Sequence, residues 1–377
     1  MKVYILLALV AAGLTALLTP LVRWVCHRWG ILPALRERDI QCVPLPRLGG
    51  VAMTVAFLIT VLIAWRIPFL APLFQTSVPW ALAGGAAAMS VVGVVDDLID
   101  LDWQTKLSGQ VLIVGLMGLG GVQLVNFPIF GLTIGSSRFS IILTVLVIVA
   151  IINAVNFIDG LDGLAAGVVG IGAGAFFIYS YLITVIMGAP SYATTASLVV
   201  VTLVGVCMGF LWFNYHPSSI LMGGGAETLG LILAGAGVVV TGQIDPSLLG
   251  GQQILVGWLP IILPLSVITI PMGDLLTTAF IRLLKGRNPF RADRSHFHDN
   301  LLARGHSHRG VVAILWLWTA IVAFSAAGLL VARWQVVVAF AAVPFFIGVA
   351  ATMWEFPRPN VTEDDPWQPT TSSRKDQ

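Results

Sequence analysis

Long apolar runs, each closed by a short polar cluster, follow one another along the chain from the first residues to about position 354. A hydrocarbon core ~30 Å thick is crossed by ~20 apolar residues of helix. Runs near that length fall at 3–25, 48–70, 78–95, 107–125, 139–155, 163–187, 191–213, 227–242, 255–278, 311–333 and 335–354. The pattern predicts an all-α polytopic membrane protein of about eleven transmembrane helices, forming one integral membrane domain over residues 1–354. Residues 355–377, rich in proline, serine, threonine and charge, read as a disordered cytoplasmic tail. An odd number of spans puts the two termini on opposite faces.

Composition agrees with the hydropathy: 57% of the residues are hydrophobic and 10% charged, where soluble domains carry about a quarter charged. The first run lacks a small-residue cleavage site and has only Lys2 as a basic lead-in, so it reads as a retained span rather than a removed signal. Cys26, Cys42 and Cys207 are too few and too scattered for a disulfide framework. The formal charge of +2 is uninformative as a total, and no nucleic acid partner is expected.

The placement of charge says more. With the amino terminus outside, sixteen of the twenty Lys and Arg residues face inward, leaving Lys2, Arg66, Arg138 and Arg333 outside; the positive-inside rule favours that orientation. The acids sort the same way, which the rule does not require. Asp96, Asp97, Asp100, Asp102, Asp159, Asp162, Glu227, Asp274, Asp293 and Asp299 all fall at inner loops or inner helix ends, and Asp245 is the only acid expected outside. Carboxylates and cations gathered on one face suit phosphate with a divalent metal, since Mg²⁺ takes carboxylate and phosphate oxygens together.

Four polar constellations carry the candidate chemistry. In VVDDLIDLDWQTKLSGQ (94–110) the adjacent Asp96 and Asp97 project about 100° apart on a helix and so face different neighbours. Lys106 and Gln110, four residues apart, share a face of the next helix. In NAVNFIDGLDGL (153–164) the three-residue spacings of Asn156, Asp159 and Asp162 would place all three on one helical face, against the plainer reading of a helix break capped by Asx turns. The loop FNYHPSSILMGGGAETLG (213–230) has a turn at Asn214, His216 and Pro217. Three glycines follow that would allow tight backbone approach to a phosphate, and Glu227 then enters a span. The loop 285–310 carries Arg291, Arg294, His296, His298 and Asp299, a set suited to phosphate at least as well as to zinc; His306 and His308 read as surface.

At these places the sequence resembles the polyprenyl-phosphate N-acetylhexosamine-1-phosphate transferases. The resemblance runs from PRLGG (46–50) to HFH (296–298), through DD followed by KLxxQ, NxxNFIDGLDGLAAG and PFRxDRxHxH. It implies a bundle of ten or eleven spans in a bacterial inner membrane with a cytoplasmic cleft, and a UDP-linked N-acetylamino sugar as donor, GlcNAc-1-phosphate being the expected group. It also implies a polyprenyl phosphate acceptor, usually undecaprenyl, release of UMP, Mg²⁺ (or Mn²⁺ in its place) and, by analogy, a homodimer. With that resemblance Asp96, Asp97, Asp159, Asp162, His296 and His298 are expected to be catalytic, and Lys106, Asn156, Asn214, Arg291 and Arg294 to bind substrate. Within that set Asp96 is assigned as base toward the acceptor phosphate and Asp97 or Asp162 as metal ligand.

Two departures stand out. Where the family usually shows MGDSGS this chain has Met222, Gly223, Gly224, Gly225, Ala226 and Glu227, and where it shows HxHH the final position is Asp299. Glu227 or Asp299 is the expected replacement for the missing metal-binding oxygen. The alternatives are an inactive or donor-switched homologue acting as a scaffold, and a transporter or flippase of lipid-linked sugars. A transporter would place acids near the midplane or on both faces, and the lack of a visible internal repeat also counts against it.

Overall fold

The computed structural model describes residues 1–32, 44–124, 137–186, 194–241, 301–302 and 304–354. Among these residues the chain forms ten α-helices: α1 (Lys2–Trp29), α2 (Gly49–Trp65), α3 (Val78–Ile99), α4 (Trp103–Leu119), α5 (Ser137–Ile158), α6 (Leu164–Ile186), α7 (Thr195–Asn214), α8 (Gly225–Thr241), α9 (His308–Gly328) and α10 (Trp334–Met353). A 3-10 turn, Ala71–Gln75, lies between α2 and α3. Each of ten expected spans coincides with one of these helices. The eleventh, 255–278, lies outside the described residues, as do the tail and the expected site residues Arg291, Arg294, His296, His298 and Asp299. Seven of the described helices are long and apolar enough to cross a membrane by themselves, so the all-α polytopic class holds.

Local sequence sets the helix ends. The second helix stops at Trp65 rather than near 70 because Pro68 disfavours helical geometry at the residue before it. Helix α4 begins at Trp103, four residues earlier than the hydropathy suggested, because the Asp102 carboxylate accepts from the Gln104 and Thr105 amides at 3.1 Å each. That cap draws Lys106 into the first turn of a helix.

At the centre of the bundle stands α7, most of whose residues are buried. Gly205 and Gly209, four apart, form the small-residue seam on which α1 lies; a methyl group on either would fall 2.3 Å from the carbonyl oxygen of Ala8 or Ala12. Tyr4 of α1 accepts at its hydroxyl from the Thr194 amide at 3.2 Å, fastening the start of α7. Trp316 of α9 packs against α6 at Gly167, where a Cβ would meet the indole at 2.0 Å. Helix α10 is peripheral, with Phe340 and Phe346 largely exposed, as suits a face turned to lipid.

Candidate active site

The polar side chains gather where α3, α5 and α7 end and α4, α6, α8 and α9 begin. Helix α3 terminates through Asp100, whose left-handed backbone (φ 56°) lets its amide reach the Asp96 carbonyl. The turn brings the Leu101 amide 3.1 Å from Asp96 Oδ1 and Lys106 Nζ 2.9 Å from Asp96 Oδ2. Asp97 faces elsewhere, as its position on the helix requires: its Oδ2 accepts from the Gly224 amide at 2.8 Å. Lys106 and Gln110 do share a face, and both reach Glu227. Lys106 Nζ pairs with Glu227 Oε1, and Gln110 Nε2 donates to Oε2 at 3.1 Å. Gln110 Oε1 accepts in turn from Asn153 Nδ2 of α5 at 2.7 Å.

The expectation of one helical face for Asn156, Asp159 and Asp162 is corrected. Helix α5 ends at Ile158, and Asp159 to Gly163 form a turn into α6, closed by left-handed Gly163 (φ 78°). Asn156 stays half-buried in the last helical turn. Asp162 swings inward, 5% exposed, where Ser218 donates to it twice, from Oγ at 2.9 Å and from N at 3.2 Å, and His216 Nδ1 lies 2.8 Å away. Asp159 stays half-buried near Asp97 and Arg47. Burial first, then the Asp97 and Asp162 charges, push its carboxyl up to about 7, against a smaller pull downward from Arg47.

The loop between α7 and α8 corrects a further expectation and places Asn214. Asn214, 2% exposed, uses its carboxamide inside the fold: Oδ1 accepts from the Gly163 amide and Nδ2 donates to the Ile220 carbonyl, both at 3.0 Å. It therefore ties two loops together. The triple glycine is a packing device rather than a phosphate cradle. Gly224 lies backbone on backbone against Gly93 of α3, and Gly225 against Gly50 of α2; Cβ atoms there would come 2.2 and 2.4 Å from the facing Cα atoms. Three backbone hydrogen bonds fasten the same seam, Leu221 to Pro46 and Gly49 and Gly50 to Leu221 and Met222.

His306 is not a surface residue, and His308 is only half-exposed. His306 is 7% exposed, and the His308 ring stacks on His216 with centroids 4.1 Å apart. The Ser307 side chain caps α9 by accepting from the Gly310 amide; that S-x-x-G signal could have shown that a helix starts here and turns its first residues inward. Asp162, His216 and His308 bring ligand-capable atoms within 4.8 Å of one another. The Ser218 donors and the His216 contact make Asp162 first a brace between the α5–α6 turn and the α7–α8 loop. Arg309 Nε extends the brace by donating to the His216 carbonyl at 2.9 Å. Arg47, Asn153 and Ser218 were not singled out from sequence, because nothing local to them reveals which distant acids they meet.

The described helices form a multi-pass bundle at one end of which acids, a lysine and an arginine converge. Residues 79–241 match the family described as glycosyl transferase family 4. The chain is 37% identical over 329 residues to the decaprenyl-phosphate N-acetylglucosaminephosphotransferase of Mycobacterium tuberculosis, covering 85% of this chain and 81% of the relative. It is 30% identical to a Bacillus subtilis protein named "Probable undecaprenyl-phosphate N-acetylglucosaminyl 1-phosphate transferase", over 85% of this chain and 84% of the relative. It is also 30% identical to the phospho-N-acetylmuramoyl-pentapeptide-transferase of Symbiobacterium thermophilum, over 82% and 92%. The chain belongs to the polyprenyl-phosphate N-acetylhexosamine-1-phosphate transferases.

Proposed function

We propose that this protein transfers N-acetylglucosamine 1-phosphate from UDP-N-acetylglucosamine to a polyprenyl phosphate and releases UMP, at the cytoplasmic face of a bacterial inner membrane. The amino terminus would lie outside and the carboxy terminus inside. The observation that carries the reading is the convergence of Asp96, Asp97, Lys106 and Asp159, with Arg47 beside them, at one end of the bundle. A lipid phosphate anchored in the bilayer and a soluble nucleotide sugar would meet there. Among the described residues the acids all lie toward that rim, which argues against a transport path through the midplane.

The two reactants are anions that repel, so the chain's work is positioning and charge neutralisation. Lys106 is fixed at the rim by two carboxylates and supplies the cation nearest the reacting phosphates; Arg47 adds a second. Asp96 has both oxygens engaged, by Leu101 and Lys106, so the acceptor's proton is assigned to Asp159 instead. Its carboxyl, held at about 7, lies where a general base works at neutral pH. Asp162 orients the turn that presents Asp159.

A divalent metal fits the donor set, because Asp97, Asp159 and Asp162 lie close enough for their negative charges to add to the burial that lifts the Asp159 carboxyl. Asp97 would hold it, leaving Asp159 as the base, and Mg²⁺ there would neutralise the phosphates of donor and acceptor.

The test is to incubate the purified protein with UDP-N-acetylglucosamine, undecaprenyl phosphate and Mg²⁺ and to measure UMP. Release that stops with EDTA and with Asp159→Asn supports the reading. Absence of UMP with every UDP-sugar tried supports instead the inactive scaffold, which the exclusion of a side chain at Gly224 also favours.

A further inference from the structure

Glu227 has no exposed surface. It stands in the first turn of α8, where the helix field favours a carboxylate, and it reaches Lys106 and Gln110 of α4. The full chain of contacts runs from Asn153 of α5 to Gln110, then Glu227, Lys106 and Asp96 of α3. Three helices, α3, α4 and α8, thus meet at one ammonium group, and Asn153 ties α5 to them through Gln110. A lysine has three donors on a flexible stem. Asp96 accepts from one of them and Glu227 lies against the same ammonium as an ion-pair partner, which together fix the stem.

The position of this carboxylate follows from the glycine seam. A Cβ at Gly223 would come 1.9 Å from the Arg47 carbonyl oxygen, at Gly224 2.2 Å from Gly93 Cα, and at Gly225 2.4 Å from Gly50 Cα. Residue 226 is an alanine. The first side chain of the loop able to carry charge into the cluster is therefore Glu227, and it arrives on the inner side of Lys106.

We propose that Glu227 is a positioning residue, holding Lys106 against Asp96 so that the ammonium meets the reacting phosphate in one geometry. Its negative charge also weakens the hold of Lys106 on the anionic donor before reaction. The proposal rests on the phosphosugar-transfer reading above.

The experiment compares wild type, E227Q, E227D, K106M and the double variant E227Q/K106M, with UMP release and thermal unfolding measured on each. E227Q should lower kcat about tenfold and also lower the KM for UDP-N-acetylglucosamine about threefold, a split that a general packing defect does not produce. E227D should restore part of the kcat. Adding E227Q to K106M should change neither constant, and half-maximal Mg²⁺ should stay at its wild-type value. An E227Q enzyme with wild-type constants, an equal kcat loss in the K106M background, or a raised Mg²⁺ requirement would overturn the proposal; the last would make Glu227 a metal ligand. If wild type releases no UMP from any UDP-sugar, the transfer reading fails separately. The clamp is then judged by unfolding alone: non-additive midpoint losses for K106M and E227Q support it, and additive losses overturn it.

Discussion

Restoring an aspartate at Gly224, where the family pattern has one, should weaken the protein rather than repair it. A Cβ on residue 224 would sit 2.2 Å from Gly93 Cα and 2.6 Å from the Gly93 carbonyl carbon, whereas non-bonded carbons rest ~3.5–4.0 Å apart. Both partners are backbone, so no flexible side chain can yield, and the loop must retreat from α3. Overpacking of this kind costs ~1–3 kcal/mol. The retreat also breaks the 2.8 Å hydrogen bond from the Gly224 amide to Asp97 Oδ2, and a bond to a charged acceptor is worth ~1.5–3 kcal/mol. Together G224D should lose about 2.5–6 kcal/mol, an upper range because the two effects share one displacement. Thermal unfolding of purified protein in lipid nanodiscs is the assay, with G224A as the variant that carries the clash and little else. Both should unfold below wild type. A G224D protein with the wild-type midpoint and yield would refute the packing argument and reopen residue 224 as a place for a metal-binding carboxylate.

Two further outcomes are expected. Because the folded state holds the Asp159 proton up to about 7 against an ordinary 3.8, folded protein binds more protons than unfolded chain across that window, so wild-type stability should fall as pH rises through it. D159N should lose that part of the slope; identical slopes in the two proteins, from unfolding midpoints at several pH values, would contradict the assignment. S218A removes the 2.9 Å hydrogen bond to Asp162 and should cost about 1.5–3 kcal/mol; an unchanged midpoint in the same unfolding assay would show that Asp162 is not braced from this side.

The legible part of the site was what lies close along the chain. The divergence of Asp96 and Asp97, and the shared face of Lys106 and Gln110, follow from helical periodicity and appear as expected. The same rule failed for Asn156, Asp159 and Asp162 because it presumes an unbroken helix, and glycines at 160 and 163 end it. The triple glycine misled for a related reason. Its composition suits a ligand-binding loop and a tight backbone seam equally, and only the position of α2 and α3 chooses between them.

Chain order alone determined the all-α membrane class and the places of ten described spans, because hydropathy is summed over neighbours and the bilayer sets the length. The gathering of acids toward one set of helix ends was legible for the same reason. Tertiary structure alone decided which group each acid meets. Gln110 and Glu227 are 117 positions apart, and Asp162 and Ser218 are 56 apart. Such pairings exist only once helices pack, since a side chain's partner is fixed by the crossing of backbones in space and leaves no periodic trace along the chain.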